Sequence, residues 1–300
     1  MYVILGASGR TGSVVAEALL AKGEKVRVVG RSKERLAGLV ALGAEAIVAD
    51  QNDAAALTRA FEGARAVYFM VPPMYDSTDY LAFQRQLADA AAIALEAAKV
   101  KYVVALSSYG AEQSSGSGPI SGLFAVEARL RSVPALNVLF LRAGFFMENI
   151  VAQIPGIKYN GAMGTSVRAG AILPMIATHD IGAAAADAIL KLDFSGHEVR
   201  ELQGERDLTY PEVARIVGAA LGKPDMEYRE LPRDQFGPIL LRAGFSQNFT
   251  DIFLEMNDAI NAGRVRALEL RSAKNSTPTS LETFVKDVFL PAYRGQAAVA

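Results

Sequence analysis

The segment LGASGRTG, residues 5–12, sets Gly6, Gly9 and Gly12 around Ser8, Arg10 and Thr11. Glycines at this spacing, between an apolar run and a helical pattern, let backbone N–H groups approach a pyrophosphate. Gly6 allows the tight turn, Gly9 the approach of the anion, and Gly12 the close packing of helix on sheet. The N-terminus of the following helix adds partial positive charge for the same anion. The alternative is a glycine-rich turn that holds no ligand. A second cation, Arg31 in VVGRS, ends the next apolar run, where an acid would bind the ribose 2′-hydroxyl of NAD. A guanidinium there matches a 2′-phosphate by charge and paired hydrogen bonds, so NADP(H) is expected over NAD(H), with Arg10 in support. The other reading of Arg31 is a solvated cation. In VADQND, Asp50 and Gln51 close the third run; the Asp50 carboxylate suits either the adenine amino group or the cap of the next helix.

Proton-transfer chemistry is less well provided. No tyrosine is followed by lysine four residues later, and no lysine lies between Lys101 and Lys158. The helical stretch GPISGLFAVEARLRS, residues 118–132, shows an apolar face at Leu123, Val126 and Leu130 and spaces Glu127 for an i,i+4 ion pair with Arg131. It carries no general acid for a developing alkoxide. Alcohol, ketone and sugar-epimerising chemistry is therefore disfavoured. Hydride transfer to an electrophilic aromatic acceptor needs chiefly positioning and an apolar pocket. Tyr75, Tyr109, Phe124, Phe145, Phe146 and Met163 are candidates for its walls, and Tyr75 and Tyr109 alone of these carry a phenolic proton. His179, at a helix start, reads as a capping or packing residue or a catalyst, and His197 as a surface turn residue. Two separated histidines and no cysteine give no support for a metal site.

The elements that must position these groups alternate. Short β-branched runs at 2–5, 25–30, 44–49, 66–71, 101–107 and 137–144 are separated by helical patterns at 11–22, 33–41, 53–61, 79–98 and 120–132. Strands apolar along their whole length imply a parallel sheet covered on both faces, and right-handed crossovers make it an α/β, doubly wound Rossmann sheet. After residue 153 the rhythm changes. Gly and Pro cluster in 154–174, read as loop and short strand. A helix at 178–192, capped by Thr178 or Asp180, is assigned to the Rossmann domain (1–153). A strand near 198–203, a helix at 209–222, a strand at 226–231 and helices near 233–243 and 246–263 make a smaller, mostly helical substrate lobe within 154–300. The basic stretch GRVRALELRSAK, 263–274, reads as a solvated helix face.

The chain has 300 residues, 51% hydrophobic and 21% charged, with a formal charge of −1 and no cysteine. This is the composition of a globular chain with a sizeable core; it offers no electrostatic reason to bind nucleic acid or an anionic membrane. No apolar run is long enough for a bilayer, and MYVILG enters the glycine turn directly, so a cytoplasmic protein is expected, with oligomerisation undetermined.

The ordered set GASGRTG, GRS, ADQND, VPPMYD, ALSSYG, LRAGFFMEN and ILPMIATHDIGAAAADAIL resembles the NmrA-like branch of atypical short-chain dehydrogenases. Within that branch it is most similar to NADPH-dependent quinone, azo-dye and triphenylmethane-dye reductases. The resemblance implies cofactor contacts from Val71 and Pro72 beside the ribose, from Ser107 and Ser108 under the nicotinamide, and from Phe145. It places Phe146 and Asn149 at the substrate opening. It also implies a lysine shortly before Glu127, at a position occupied here by Gly122 or Leu123. Two functions follow: a reductase of quinone-like or dye-like acceptors, or a non-catalytic NADP(H) sensor that regulates a protein partner.

Overall fold

The computed structural model describes residues 1–296. The last four residues of the predicted second lobe, 297–300, lie outside the described residues. β1 (Tyr2–Leu5) leads through the glycine turn into α1 (Arg10–Ala21). β2 (Val26–Gly30), α2 (Lys33–Ala41), β3 (Glu45–Val48), α3 (Ala54–Phe61), β4 (Ala66–Phe69), α4 (Tyr80–Ala97), β5 (Tyr102–Ser108), α5 (Pro119–Arg131) and β6 (Asn137–Ala143) follow in strict alternation. Next come β7 (Phe145–Phe146), a 3-10 segment (Met147–Gln153), α6 (Ile154–Asn160), β8 (Met163–Thr165), β9 (Leu173–Ile176) and α7 (Thr178–Lys191). The rest comprises β10 (His197–Leu202), β11 (Asp207–Leu208), α8 (Tyr210–Ala220), β12 (Tyr228–Glu230), α9 (Arg233–Arg242), α10 (Gln247–Asn261) and helical turns between Leu281 and Tyr293. β4 stops short of Val71 because the chain turns into Pro72 and Pro73, which have no N–H for the ladder.

Seven strands form one parallel sheet in the order β10-β6-β5-β4-β1-β2-β3. Successive side chains point to opposite faces, and both faces are buried. Tyr2, Ile4, Tyr68, Val104 and Leu139 enter a core with Val15, Leu36 and Ile189 from α1, α2 and α7. Val3, Leu5, Val67, Val103 and Phe140 enter another with Leu57, Ala91 and Val126 from α3, α4 and α5. This doubly covered sheet is why the strands read as unbroken apolar runs.

Four expectations need correction. The strand near 198–203 belongs to the main sheet, not the small lobe: β10 pairs in parallel with β6, from His197–Val138 to Leu202–Ala143. Its first half is exposed, and an edge strand tolerates the charges of HEVREL that obscured the assignment. The stretch 263–274 is not helical. Its backbone is tied instead to the sheet edge, Leu268 and Glu269 N–H donating to the buried Glu201 carboxylate at 2.9–3.0 Å. Within 154–174, Ile154–Asn160 forms a short helix with Pro155 in its first turn, where its missing N–H costs nothing. Finally, neither Thr178 nor Asp180 caps α7. Glu148 does so, accepting from Thr178 N at 3.0 and 3.1 Å and from Thr178 Oγ1 at 2.5 Å, while Asp180 accepts from Thr279.

The small lobe packs Met147, Ile157, Leu173, Val213 and Phe289 into its own core, around a three-stranded sheet (β11-β9-β7) and a β12–β8 pair. It grips the main domain where α10 meets α5: a Cβ on Gly118 would overlap the Ile252 carbonyl.

Candidate functional site

A cleft of about 690 Å³ runs along the carboxyl ends of β1, β2, β3, β4 and β5 and under α10, the place where open α/β sheets bind ligands. Its first wall is the glycine turn. Gly6 has φ +63°, and Gly9 N–H donates to the Gly6 carbonyl at 2.8 Å. A Cβ on Gly12 would overlap that same carbonyl, so Gly12 lets α1 lie on the turn itself. α1 starts at Arg10 with no side-chain cap, leaving its first N–H groups for an anion in the cleft. Thr11 Oγ1 is buried and accepts from the Tyr68 hydroxyl at 2.9 Å, which fixes the first turn against β4.

Arg10, Arg31 and Arg35 all line this end, with Ser8 and Ser32. Arg35 was not singled out in the sequence, although it follows Arg31 by one helical turn's spacing; its Nη2 donates to the Ser8 carbonyl at 3.3 Å. Asp50, Gln51 and Asn52 line the cleft at the end of β3. Asp53 caps α3 through Ala56 N at 2.9 Å, so capping is not the role of Asp50, which accepts from Asn52 N at 3.0 Å. Gln51 Oε1 is buried and has no hydrogen-bond partner among the described residues. An orphaned acceptor beside a cation cluster and an uncapped helix fits NADP(H): amino donor at Gln51, pyrophosphate at Gly6–Gly12, phosphate among the arginines.

Val71 and Pro72 line the middle of the cleft beyond β4, and Ser107 and Ser108 line it at the end of β5. Ser107 Oγ donates to Glu127 Oε1 at 2.7 Å. Glu127, expected only to pair with Arg131, is 4% exposed and sits among two arginines. Arg142 Nε reaches its Oε1 at 3.0 Å, Arg142 Nη2 its Oε2 at 2.9 Å, and Arg131 Nη2 its Oε2 at 3.2 Å. Glu112 takes the remaining arm of Arg142 at 3.0 Å. Burial disfavours the Arg142 charge, but the bonds to Glu127 and its charge outweigh this and raise the arginine above its ordinary value.

The helix face without lysine is equally well defined. Leu123 lines the cleft. At Gly122 an added Cβ would overlap Gln84 Oε1 on α4. Gln84 is a further missed residue, buried with no partner for Oε1 and lining the cleft. Its signal was a polar side chain in phase with Leu87, Ala88 and Ala91 on the apolar face of α4. Among the described residues no lysine lines the cleft.

The predicted aromatic wall holds in part. Tyr75 lines the cleft, stacked on Phe245 (4.8 Å, 5°) and edge-on to Phe249 (5.2 Å, 85°). Burial raises its phenol above the ordinary value against the pull of Arg10. Phe146 and Asn149 also line the cleft, joined by Tyr80, Phe83, Phe249, Phe253 and Met256. The aromatics of α10 were missed because 247–261 reads only as an amphipathic helix; nothing local says which element it faces.

Four candidates stand elsewhere. The Tyr109 hydroxyl donates to the Leu202 carbonyl at 3.0 Å; the residue is 3% exposed, and burial, then Glu201, pushes its phenol far up. Phe145 lines a separate, smaller cavity and meets Tyr210 edge-on at 6.1 Å. Met163 is 1% exposed inside the small-lobe core. Phe124 is 37% exposed on α5 and lines neither cavity. His179 is exposed, 3.6 Å from Asp180.

This chain is similar to a Streptomyces griseus protein, (4-alkanoyl-5-oxo-2,5-dihydrofuran-3-yl)methyl phosphate reductase, 28% identical over 88% of each chain. Its fold matches the NADPH-dependent quinone oxidoreductase of Escherichia coli solved with NADPH (TM-score 0.81, 24% identity, 96% of this chain and 100% of that one). It also matches Citrobacter triphenylmethane reductase solved with NADP(H) (TM-score 0.80, 23% identity, 95% and 99%). The profile of the NmrA-like family covers residues 2–285, and the chain belongs to that family.

Proposed function

We propose that the protein is an NADP(H)-dependent reductase of flat, electron-poor acceptors of the quinone, azo-dye or triphenylmethane-dye kind. The observation that carries this reading is the cleft beyond Ser107. Its walls are Tyr75, Phe83, Leu123, Phe146, Phe249 and Met256, and no lysine reaches it. Such a surface orients an aromatic plate and offers little to an alcohol or a sugar. The Streptomyces and Escherichia coli relatives, named for an oxo-dihydrofuran and for quinone, point to acceptors of the same electron-poor character.

In this reading the first N–H groups of α1 hold the pyrophosphate, and Arg31, Arg35 and Arg10 hold the 2′-phosphate. Asp50 and Gln51 receive the adenine. Bound NADPH supplies the hydride. Ser107, its proton committed to Glu127, turns its oxygen lone pairs to the nicotinamide end and orients it. The aromatic wall stacks the acceptor over that end and excludes water from one face. The reduced acceptor is a delocalised anion or a neutral molecule, which water protonates through the cleft mouth. Tyr75 is the exposed phenol of the wall and stands beside that path.

The test follows NADPH absorbance with a panel of quinones, azo dyes and triphenylmethane dyes. Turnover of at least one class is expected. Tight NADPH binding without turnover of any acceptor overturns the reading and leaves cofactor sensing.

A further inference from the structure

We propose that the smaller cavity is a second subsite of the same active site, taking a short hydrocarbon substituent carried by the acceptor; this rests on the reductase reading above. The cavity measures about 190 Å³. Ser108, Ile120, Phe146, Asn149 and Met256 line both it and the main cleft, so the two spaces adjoin. An acceptor over Ser107 and Ser108 therefore has the chamber beside it.

The lining states what the chamber accepts. Ile172, Leu173, Pro174, Ile260 and Val265 form its far side, and no charged side chain lines it. Tyr109 contributes its ring only, since its hydroxyl is spent on the Leu202 carbonyl. A phosphate or carboxylate would enter without counter-charge, and a sugar hydroxyl would find few partners. A hydrocarbon branch loses nothing there. The close approach that shapes the chamber is built in at Gly144, where a Cβ would overlap the Pro174 carbonyl. Ile172 stands at the chamber 59% exposed, an apolar surface that a bound chain would cover.

Each methylene taken from water strengthens binding about fourfold. At about 30 Å³ for a water-sized group, the chamber holds a chain of about six carbons. The experiment measures kcat/KM of the NADPH-loaded enzyme with 2-alkyl-1,4-benzoquinones from methyl to decyl, and with tails of equal length ending in carboxylate. The expected result is a rise of about fourfold per carbon that flattens beyond about six, with the carboxylate series staying near the methyl compound. Val265→Trp, which fills the chamber, should flatten the alkyl series; Ile172→Trp at its exposed side is the second variant should the first not fold. The readout is the slope with chain length, which a general loss of activity does not produce. An alkyl slope unchanged in a folded variant, or identical alkyl and carboxylate series, overturns the proposal. The reductase reading fails separately, if no quinone, azo dye or triphenylmethane dye is turned over. Calorimetric binding of the same series to NADP⁺-loaded protein then decides the chamber: a slope abolished by the variant supports it, and a flat series overturns it.

Discussion

Ser107 and Glu127 stand twenty residues apart in the chain and 2.7 Å apart in space, hydroxyl donating to carboxylate. Arg142 grips the same carboxylate through two nitrogens at 2.9–3.0 Å. The floor of the site, at the end of β5, is thus fastened to a helix behind it and to the neighbouring strand. Glu127→Gln removes the charge and leaves a buried guanidinium short of a partner. A loss of about 3 kcal/mol in urea unfolding is expected, with weaker NADPH binding as Ser107 loses its fixed orientation. An unchanged denaturation midpoint would show that Glu112 alone suffices for Arg142.

Arg31 lines the end of the cleft proposed above for the 2′-phosphate. Arg31→Asp should weaken NADPH about tenfold to a hundredfold more than NADH, since a charge-assisted bond is lost and a like charge gained. Dissociation constants by fluorescence titration check this; equal weakening of both cofactors would move the 2′-phosphate away from Arg31.

Tyr109→Phe leaves the Leu202 carbonyl without its donor. About 1 kcal/mol of stability should go, while the pH dependence of kcat is expected to keep its shape because the hydroxyl proton is engaged by the Leu202 carbonyl. A lost limb in that profile would return Tyr109 to the chemistry.

Introducing a lysine at the position that the family resemblance implies should fail at Gly122. Gly122→Lys forces Gln84 aside and should cost about 1–3 kcal/mol. Gln84→Ala in the same chain should recover most of it. Thermal unfolding of the two single variants and the double variant gives the coupling directly; additive effects would mean that the helices part instead.

α8 carries a capping box, Thr209 accepting from Glu212 N and Glu212 accepting from Thr209 N at 2.7 Å. The bonds from Thr209 lower the Glu212 carboxyl below its ordinary value. The lowered folded value means that this stabilisation is complete above about pH 4.5 and is lost as pH falls through the folded value. Thr209→Ala should therefore cost about 1 kcal/mol at neutral pH and progressively less in acid. Urea melts across that range test the sign.

The cofactor end was largely legible in the chain. Gly6, Gly9, Arg10, Arg31 and Asp50 all line the cleft, and each stands at a position counted from a strand end, so sequence spacing sets its place. The acceptor end was legible only as a composition. Tyr75 and Phe146 reach the cleft, whereas Tyr109, Phe145, Met163 and Phe124 do not. An aromatic after a strand fills core or pocket alike until the opposing element is known.

The sequence by itself determined the alternating elements, the doubly covered sheet and the glycine turn before α1, because periodicity, apolar runs and glycine spacing are local properties. The tertiary structure alone decided the rest. It carried β10 back to the main sheet, brought Glu127 and Arg142 beneath Ser107, set α10 as the roof of the cleft, and pressed Gln84 against Gly122. Each of these joins residues far apart in the chain, and burial there depends on which surfaces meet, a quantity that no single stretch of residues contains.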